Sequence, residues 1–289
     1  MADSPAEQSS AGSQVTAPLE ALDIVRRVLN RDYPISPLDE LKRGIAPASR
    51  ARVDRTLPFA IGFDTNAIFR LGLGSRGPDA VDYLVNSHKG PVIVPGQTIQ
   101  EVWNNSLSAV LPQAKVVRKK LEELEAEMQK VDQHLGSEGA AVREAITELI
   151  ATRGDWVDPA ALATFETTLE SLLKAGVTSY VPREGFAALA RVRKDTKTPP
   201  GFEDSGFGDF FVWADFLYGL ASESRGFDGA VLVTNDTKKD WSRNGVAHPI
   251  LVAEAEAVAG VPFELWTLED FKALASSVVT AAAPDAPPA

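Results

Sequence analysis

Short apolar runs alternate with longer amphipathic stretches along this chain. Residues 59–63, 91–94, 229–234 and 263–266 are uninterrupted or nearly uninterrupted apolar runs and read as buried strands. Helical spacing predicts helices over about 79–87, 98–107, 209–222, 251–259 and 268–275. Strands this short and apolar, alternating with helices, imply a parallel sheet covered on both faces. The predicted fold class is therefore α/β, a three-layer α/β/α arrangement around a central parallel sheet of about four to five strands.

A long helical insertion, residues 113–180, separates the second and third runs. Val117, Leu121, Leu124, Met128, Val131 and Leu135 follow spacings of 4, 3, 4, 3 and 4, an a/d seam too short for a free coiled coil. A helical hairpin broken at Gly136 and Gly139 is expected, with further amphipathic helices near 141–151 and 159–174. Residues 1–17 and 279–289 are rich in Ser, Ala, Gln, Gly or Pro and read as disordered tails. Residues 18–56 form an N-terminal helical extension, with Leu19, Leu22, Val25 and Leu29 on one stripe, and 57–278 form the main domain.

Composition narrows the chemistry. There is no cysteine, which removes disulfides, thiolate metal sites and cysteine nucleophiles. With three histidines (His88, His134, His248), oxygen ligands are favoured over a His-rich zinc site. The net charge of -11 argues against a broad nucleic-acid-binding face, although metal-holding carboxylates would add to that count. No apolar run approaches a membrane span, and Met1-Ala2-Asp3-Ser4-Pro5 lacks signal-peptide character, so a cytoplasmic protein without a membrane partner is expected.

Four acids mark the ends of apolar runs: Asp64 after 59–63, Glu101 early in a helix, Asp209 opening an apolar helix, and Asp236 after 229–234. Taken singly, each is more often a helix cap or turn residue than a ligand. In a parallel sheet, however, C-terminal strand ends and the following helix N-termini share one edge. Like charges gathered there would raise one another's pKa values unless a cation neutralised them. The joint reading is a carboxylate cluster for a hard divalent ion, Mg²⁺ or Mn²⁺.

The order of these segments resembles the PIN domain superfamily of metal-dependent nucleases, and more closely the PIN-like group with a long helical insertion. The phrases that carry the resemblance are Thr198-Pro199-Pro200-Gly201-Phe202, Gly208-Asp209, Trp213 and Val233-Thr234-Asn235-Asp236-Thr237-Lys238-Lys239-Asp240-Trp241. The resemblance implies a 3-2-1-4-type parallel sheet and an Mg²⁺- or Mn²⁺-dependent endonuclease acting most often on RNA. It assigns Asp64, Glu101, Asp209 and Asp236 to catalysis and metal binding. Thr65, Asn66, Thr234 and Asn235 stand beside those acids as candidate hydrogen-bonding partners.

Arg191, Arg193, Lys194 and Lys197 on one side, and Lys238 and Lys239 on the other, are candidate phosphate contacts. Asp204 and Asp240 read as surface or capping acids, and Trp213 and Trp241 as packing residues. The insertion offers a surface for a protein partner or antitoxin, so a toxin is a subcase of the nuclease reading; homo-oligomers are also compatible. Two rivals stand. A haloacid-dehalogenase-type phosphatase needs an acid two residues after Asp64, where this chain has Asn66. A PIN-like binding or scaffold module without turnover would not need four acids.

Overall fold

The computed structural model describes residues 13–45, 52–109, 112–130, 132–152, 159–243 and 245–282. Helices α1 (Ser13–Leu29) and α2 (Pro37–Ile45) precede the sheet. Strand β1 (Ala60–Phe63) leads to α3 (Thr65–Leu71) and to α4 (Gly77–Asp82), which ends in a π-helical turn, Tyr83–Ser87. Then come β2 (Val92–Pro95), α5 (Gly96–Ala109), α6 (Pro112–Lys130), α7 (Asp132–Thr152) and α8 (Pro159–Ala175). Strand β3 (Val177–Ser179), α9 (Arg183–Asp195), α10 (Gly208–Ser222) and β4 (Ala230–Val233) follow. A two-stranded hairpin of β5 (Ser242–Arg243) and β6 (Val246–Ala247) precedes α11 (Pro249–Ala259), β7 (Phe263–Trp266) and α12 (Leu268–Ala282).

The central sheet has five parallel strands in the order β3-β2-β1-β4-β7, the three-layer α/β/α arrangement expected. The pleat divides its side chains between two cores. Ile61, Phe63, Val92, Val94, Val231 and Val233 face the layer built from α3, α4, α8 and α12. Ala60, Ile93, Ala230 and Leu232 face α1, α9, α10 and α11. On that second face Gly62 leaves room for the ring of Phe216, since an added Cβ would lie 2.5 Å from its Cδ2. Helix α10 lies mainly over β2 and β3, with Gly219 against Ile93, and reaches β1 through the Phe216 ring at Gly62.

Several boundaries differ from the sequence reading. Strand β3 falls at the end of the 113–180 stretch expected as a helical insertion, just past its last expected helix, and pairs with β2 at the sheet edge. Three residues, two of them exposed, give too short an apolar pattern to register. Helix α1 begins at Ser13 and α12 runs to Ala282, so helix reaches into both stretches expected to be tails. Residues 1–12 and 283–289 of those tails lie outside the described residues.

Helices α6 and α7 pack together as the expected hairpin, and Gly136 takes a non-helical conformation (φ 61°, ψ -156°). The seam itself is not closed: Val117 and Leu124 are 44% and 46% exposed. Seam position Val131 falls outside the described residues. No helix among the described residues is long and apolar enough to cross a membrane.

Candidate functional site

The C-terminal ends of β1 and β4 stand side by side, Phe63 opposite Val233 in a parallel ladder. Asp64 is the first residue past β1. It caps α3, its Oδ1 accepting from the Thr65 backbone N at 2.6 Å. Its Oδ2 accepts from the Thr234 hydroxyl at 2.8 Å, and its backbone N donates to Val233 O. Only 6% of Asp64 is exposed. Burial pushes its carboxyl up to about 6, against the Thr234 hydrogen bond, with the nearby charges of Glu101 and Asp236 raising it further.

Glu101 comes to the same edge from the second turn of α5. Its Oε2 accepts from the Thr65 hydroxyl at 2.7 Å and its Oε1 from Gln97 Nε2 at 3.0 Å. Gly208 also stands close to Oε1, and a Cβ added there would collide with it. A glycine at the start of α10 is what lets that helix close on Glu101.

Asp209, the next residue, turns its carboxylate across to the segment after β4. Its Oδ2 accepts from Trp241 Nε1 at 2.8 Å and lies 3.3 Å from Lys238 Nζ. Burial, then a hydrogen bond with the Asp204 carboxyl, pushes Asp209 up to about 8. Burial works in the same sense on Asp204, but hydrogen bonds with Asp209 and Lys238 outweigh it and hold Asp204 below the ordinary range. The two carboxyls sit close enough that they titrate as a pair.

Asp236 completes the edge. Its backbone N donates to Thr234 Oγ1 at 3.0 Å, its Oδ1 accepts from the Lys238 backbone N at 2.8 Å, and its Oδ2 pairs with Lys238 Nζ at 2.8 Å. The structure thus brings all four predicted acids to one region, arranged in two halves. Asp64 and Glu101 meet through Thr65, and Asp209 and Asp236 meet through Lys238. Thr234 joins the halves.

The donor set is all oxygen, of the kind that suits Mg²⁺ or Mn²⁺. The arrangement does not make a metal shell, however: among the described residues no three histidine or acidic side chains stand together so as to hold an ion. Beside Glu101 a groove of about 470 Å³ is lined by Gln97, Gln100, Arg183, Glu184, Ala187, Phe207, Gly208 and Phe211. Arg183 is fixed in its wall by two 2.8 Å hydrogen bonds to the fully buried Asp215 and lies over the Phe211 ring.

The remaining sequence candidates have varied placements. Asn66 is exposed, and Asn235 Oδ1 accepts from Leu268 N at the start of α12 rather than turning to the acids. Arg193, expected to face phosphates, is instead buried. Its guanidinium donates to both oxygens of Glu254 (2.8 and 3.1 Å) and to the carbonyls of Leu29 and Pro199. An apolar stem and a buried acid partner draw it inward, on the opposite side of α9 from solvent-exposed Arg191.

Lys194 donates to Ser205 O and lies over Phe207, Lys239 pairs with Glu203, and Lys197 is exposed. Lys238 is engaged by three carboxylates. Asp204, read as a surface or capping acid, belongs to the cluster. Asp240 is fully buried and accepts from Gly201 N. Trp241 packs as expected, and its indole also positions Asp209. A signal for Asp204 existed in its place five residues before Asp209; no such signal marked Gln97.

A family model described as a PIN like domain matches residues 128–251, less than half of the chain. The matched stretch contains Asp204, Asp209, Asp236 and Lys238, while Asp64 and Glu101 lie before it. Neither a curated protein nor a solved structure gives a match.

Proposed function

With that match and the five-stranded parallel sheet supporting a PIN-like assignment, we propose that the protein is an endonuclease that hydrolyses phosphodiester bonds in RNA and depends on Mg²⁺ or Mn²⁺. The observation that carries this reading is the convergence of Asp64, Glu101, Asp209 and Asp236, from four separate segments, on one sheet edge. Acid clusters are costly to gather without a function, because each carboxylate disfavours ionisation of the next.

The chain's own groups have definable roles in this reading. Thr65 and Thr234 orient the Glu101 and Asp64 carboxylates by hydrogen bonds from their hydroxyls. Trp241 holds Asp209 by a hydrogen bond from its indole. The groove next to Glu101 offers the Arg183 guanidinium, backed by the Phe211 ring, as a contact for a single strand. The net charge of -11 leaves strand capture to such local features.

The test is cleavage of labelled single-stranded and structured RNA by the purified protein with Mg²⁺ or Mn²⁺. EDTA, Asp64→Asn and Asp209→Asn should each abolish product. Cleavage that persists unchanged in both variants would overturn the assignment. A binding module without turnover is favoured by one observation, the occupation of half the cluster by Lys238. RNA binding with no cleavage under any divalent ion would select it.

A further inference from the structure

The cation that the clustered acids call for is already present as a side chain. Lys238 Nζ lies 2.7 Å from Asp204 Oδ1, 2.8 Å from Asp236 Oδ2 and 3.3 Å from Asp209 Oδ2. These acids come from the loop before α10, the segment after β4 and the first turn of α10. Three donors on one ammonium match three acceptors on three segments. The Asp236 carboxylate also accepts from the Lys238 backbone N, which fixes the turn that sends the side chain back into the cluster.

We propose that Lys238 is the resident counter-cation of this acid cluster, and that a divalent ion gains Asp209 and Asp236 only by displacing its ammonium. The proposal rests on the reading above, in which these acids serve a metal ion. It also accounts for the absence of a metal shell among the described residues: the acids are spaced around a lysine. Two cations held within the same few ångströms repel each other strongly, because little water lies between them to screen the charges. Ammonium and metal ion therefore exclude each other.

The exit is open. The Lys238 side chain is 35% exposed and its stem is flexible, so the ammonium can swing outward without unfolding its surroundings. Lys238 is on this account a positioning residue: it keeps mutually repelling carboxylates assembled in the free protein and sets how strongly they take an external ion.

The experiment uses the full chain and its Lys238→Met, Lys238→Gln and Lys238→Arg variants. Mn²⁺ binding is followed by the loss of the free-ion paramagnetic resonance signal, and thermal melting by circular dichroism in EDTA and in Mn²⁺. Both neutral variants should bind Mn²⁺ at least about tenfold more tightly than the parent, since one competing charge is removed. They should melt lower than the parent in EDTA and recover with Mn²⁺, while Lys238→Arg follows the parent. Equal or weaker Mn²⁺ affinity in a folded neutral variant overturns the proposal. So does failure of both neutral variants to fold even with Mn²⁺, or absence of Mn²⁺ binding in every protein. Tighter Mn²⁺ binding with no RNA cleavage anywhere would remove the nuclease reading and leave the role of Lys238 standing. Cleavage with unchanged Mn²⁺ affinity would do the reverse.

Discussion

Thr234 and Asp64, 170 positions apart, are joined by a 2.8 Å hydrogen bond between the threonine hydroxyl and carboxylate Oδ2. The same hydroxyl oxygen accepts from the Asp236 backbone N, so one small side chain fixes two acids of the cluster. Replacing Thr234 by Val keeps the shape and deletes both bonds. Because the Thr234 hydrogen bond lowers the Asp64 pKa, its loss should move Asp64 upward from about 6. Stability should fall by about 1–3 kcal/mol, the usual cost of a buried group left unpaired. Carbon-detected NMR titration of the Asp64 carboxyl reads the first effect and urea unfolding the second; an unchanged Asp64 titration would count against this account.

Asp64 also sets a pH dependence. A carboxyl raised on folding stabilises the fold fully below its unfolded value, near 4, and that contribution is lost as pH rises through the folded value of about 6. Metal-free protein should therefore lose stability between about pH 4 and pH 6, and Asp64→Asn should lack that loss. Denaturation midpoints across this range, with and without the substitution, provide the comparison.

Asp209 extends the same behaviour to higher pH, since its carboxyl is pushed up to about 8. Trp241→Phe removes the indole hydrogen bond that lowers this value, so the alkaline loss of stability should move to still higher pH. The variant should also be less stable by about 1–3 kcal/mol at pH 7, from the lost bond and the smaller ring. A pH series of chemical unfolding distinguishes the shift from a uniform loss.

Gly208→Ala should separate activity from helix stability. Alanine is favoured over glycine in a helix by about 1 kcal/mol. Here its Cβ would meet Glu101 Oε1 and drive that carboxylate from Thr65 and Gln97. RNA cleavage should drop at least tenfold (about 1.4 kcal/mol of barrier) while the melting temperature changes little. Parallel kinetics and melting measurements test this pairing, and full activity would show that Glu101 need not stay where it lies.

Arg193→Met should be a stability variant. It leaves fully buried Glu254 without the bidentate partner it has at 2.8 and 3.1 Å, although Arg31 and Trp213 still contact it. Breaking such a buried pair costs about 3–5 kcal/mol. RNA affinity of the folded fraction should be unchanged, as measured by anisotropy beside calorimetric melting. A selective loss of RNA binding would return Arg193 to the substrate contacts.

What the sequence determined by itself follows from local rules. Runs such as Val231-Leu232-Val233 bury both faces of a strand, and a residue such as Asp64 or Asp209 can be placed at the end of its element by spacing alone. Four strands, their flanking helices and the common edge of the four acids were legible for that reason. Strand β3 was not, because three residues with two exposed side chains carry no periodic signal and gain their pairing only from β2.

Charge partners were decided by the tertiary structure. Lys238 and Arg193 are both basic residues near acids in sequence, yet one closes the acid cluster and the other is sealed under Glu254. Asp204 became part of the site only because the loop before α10 folds back over the segment after β4. Hydrophobic patterning is local and survives in a one-dimensional reading. The neutralisation of a charge depends on which groups lie within a few ångströms, and that distance exists only once the chain has folded.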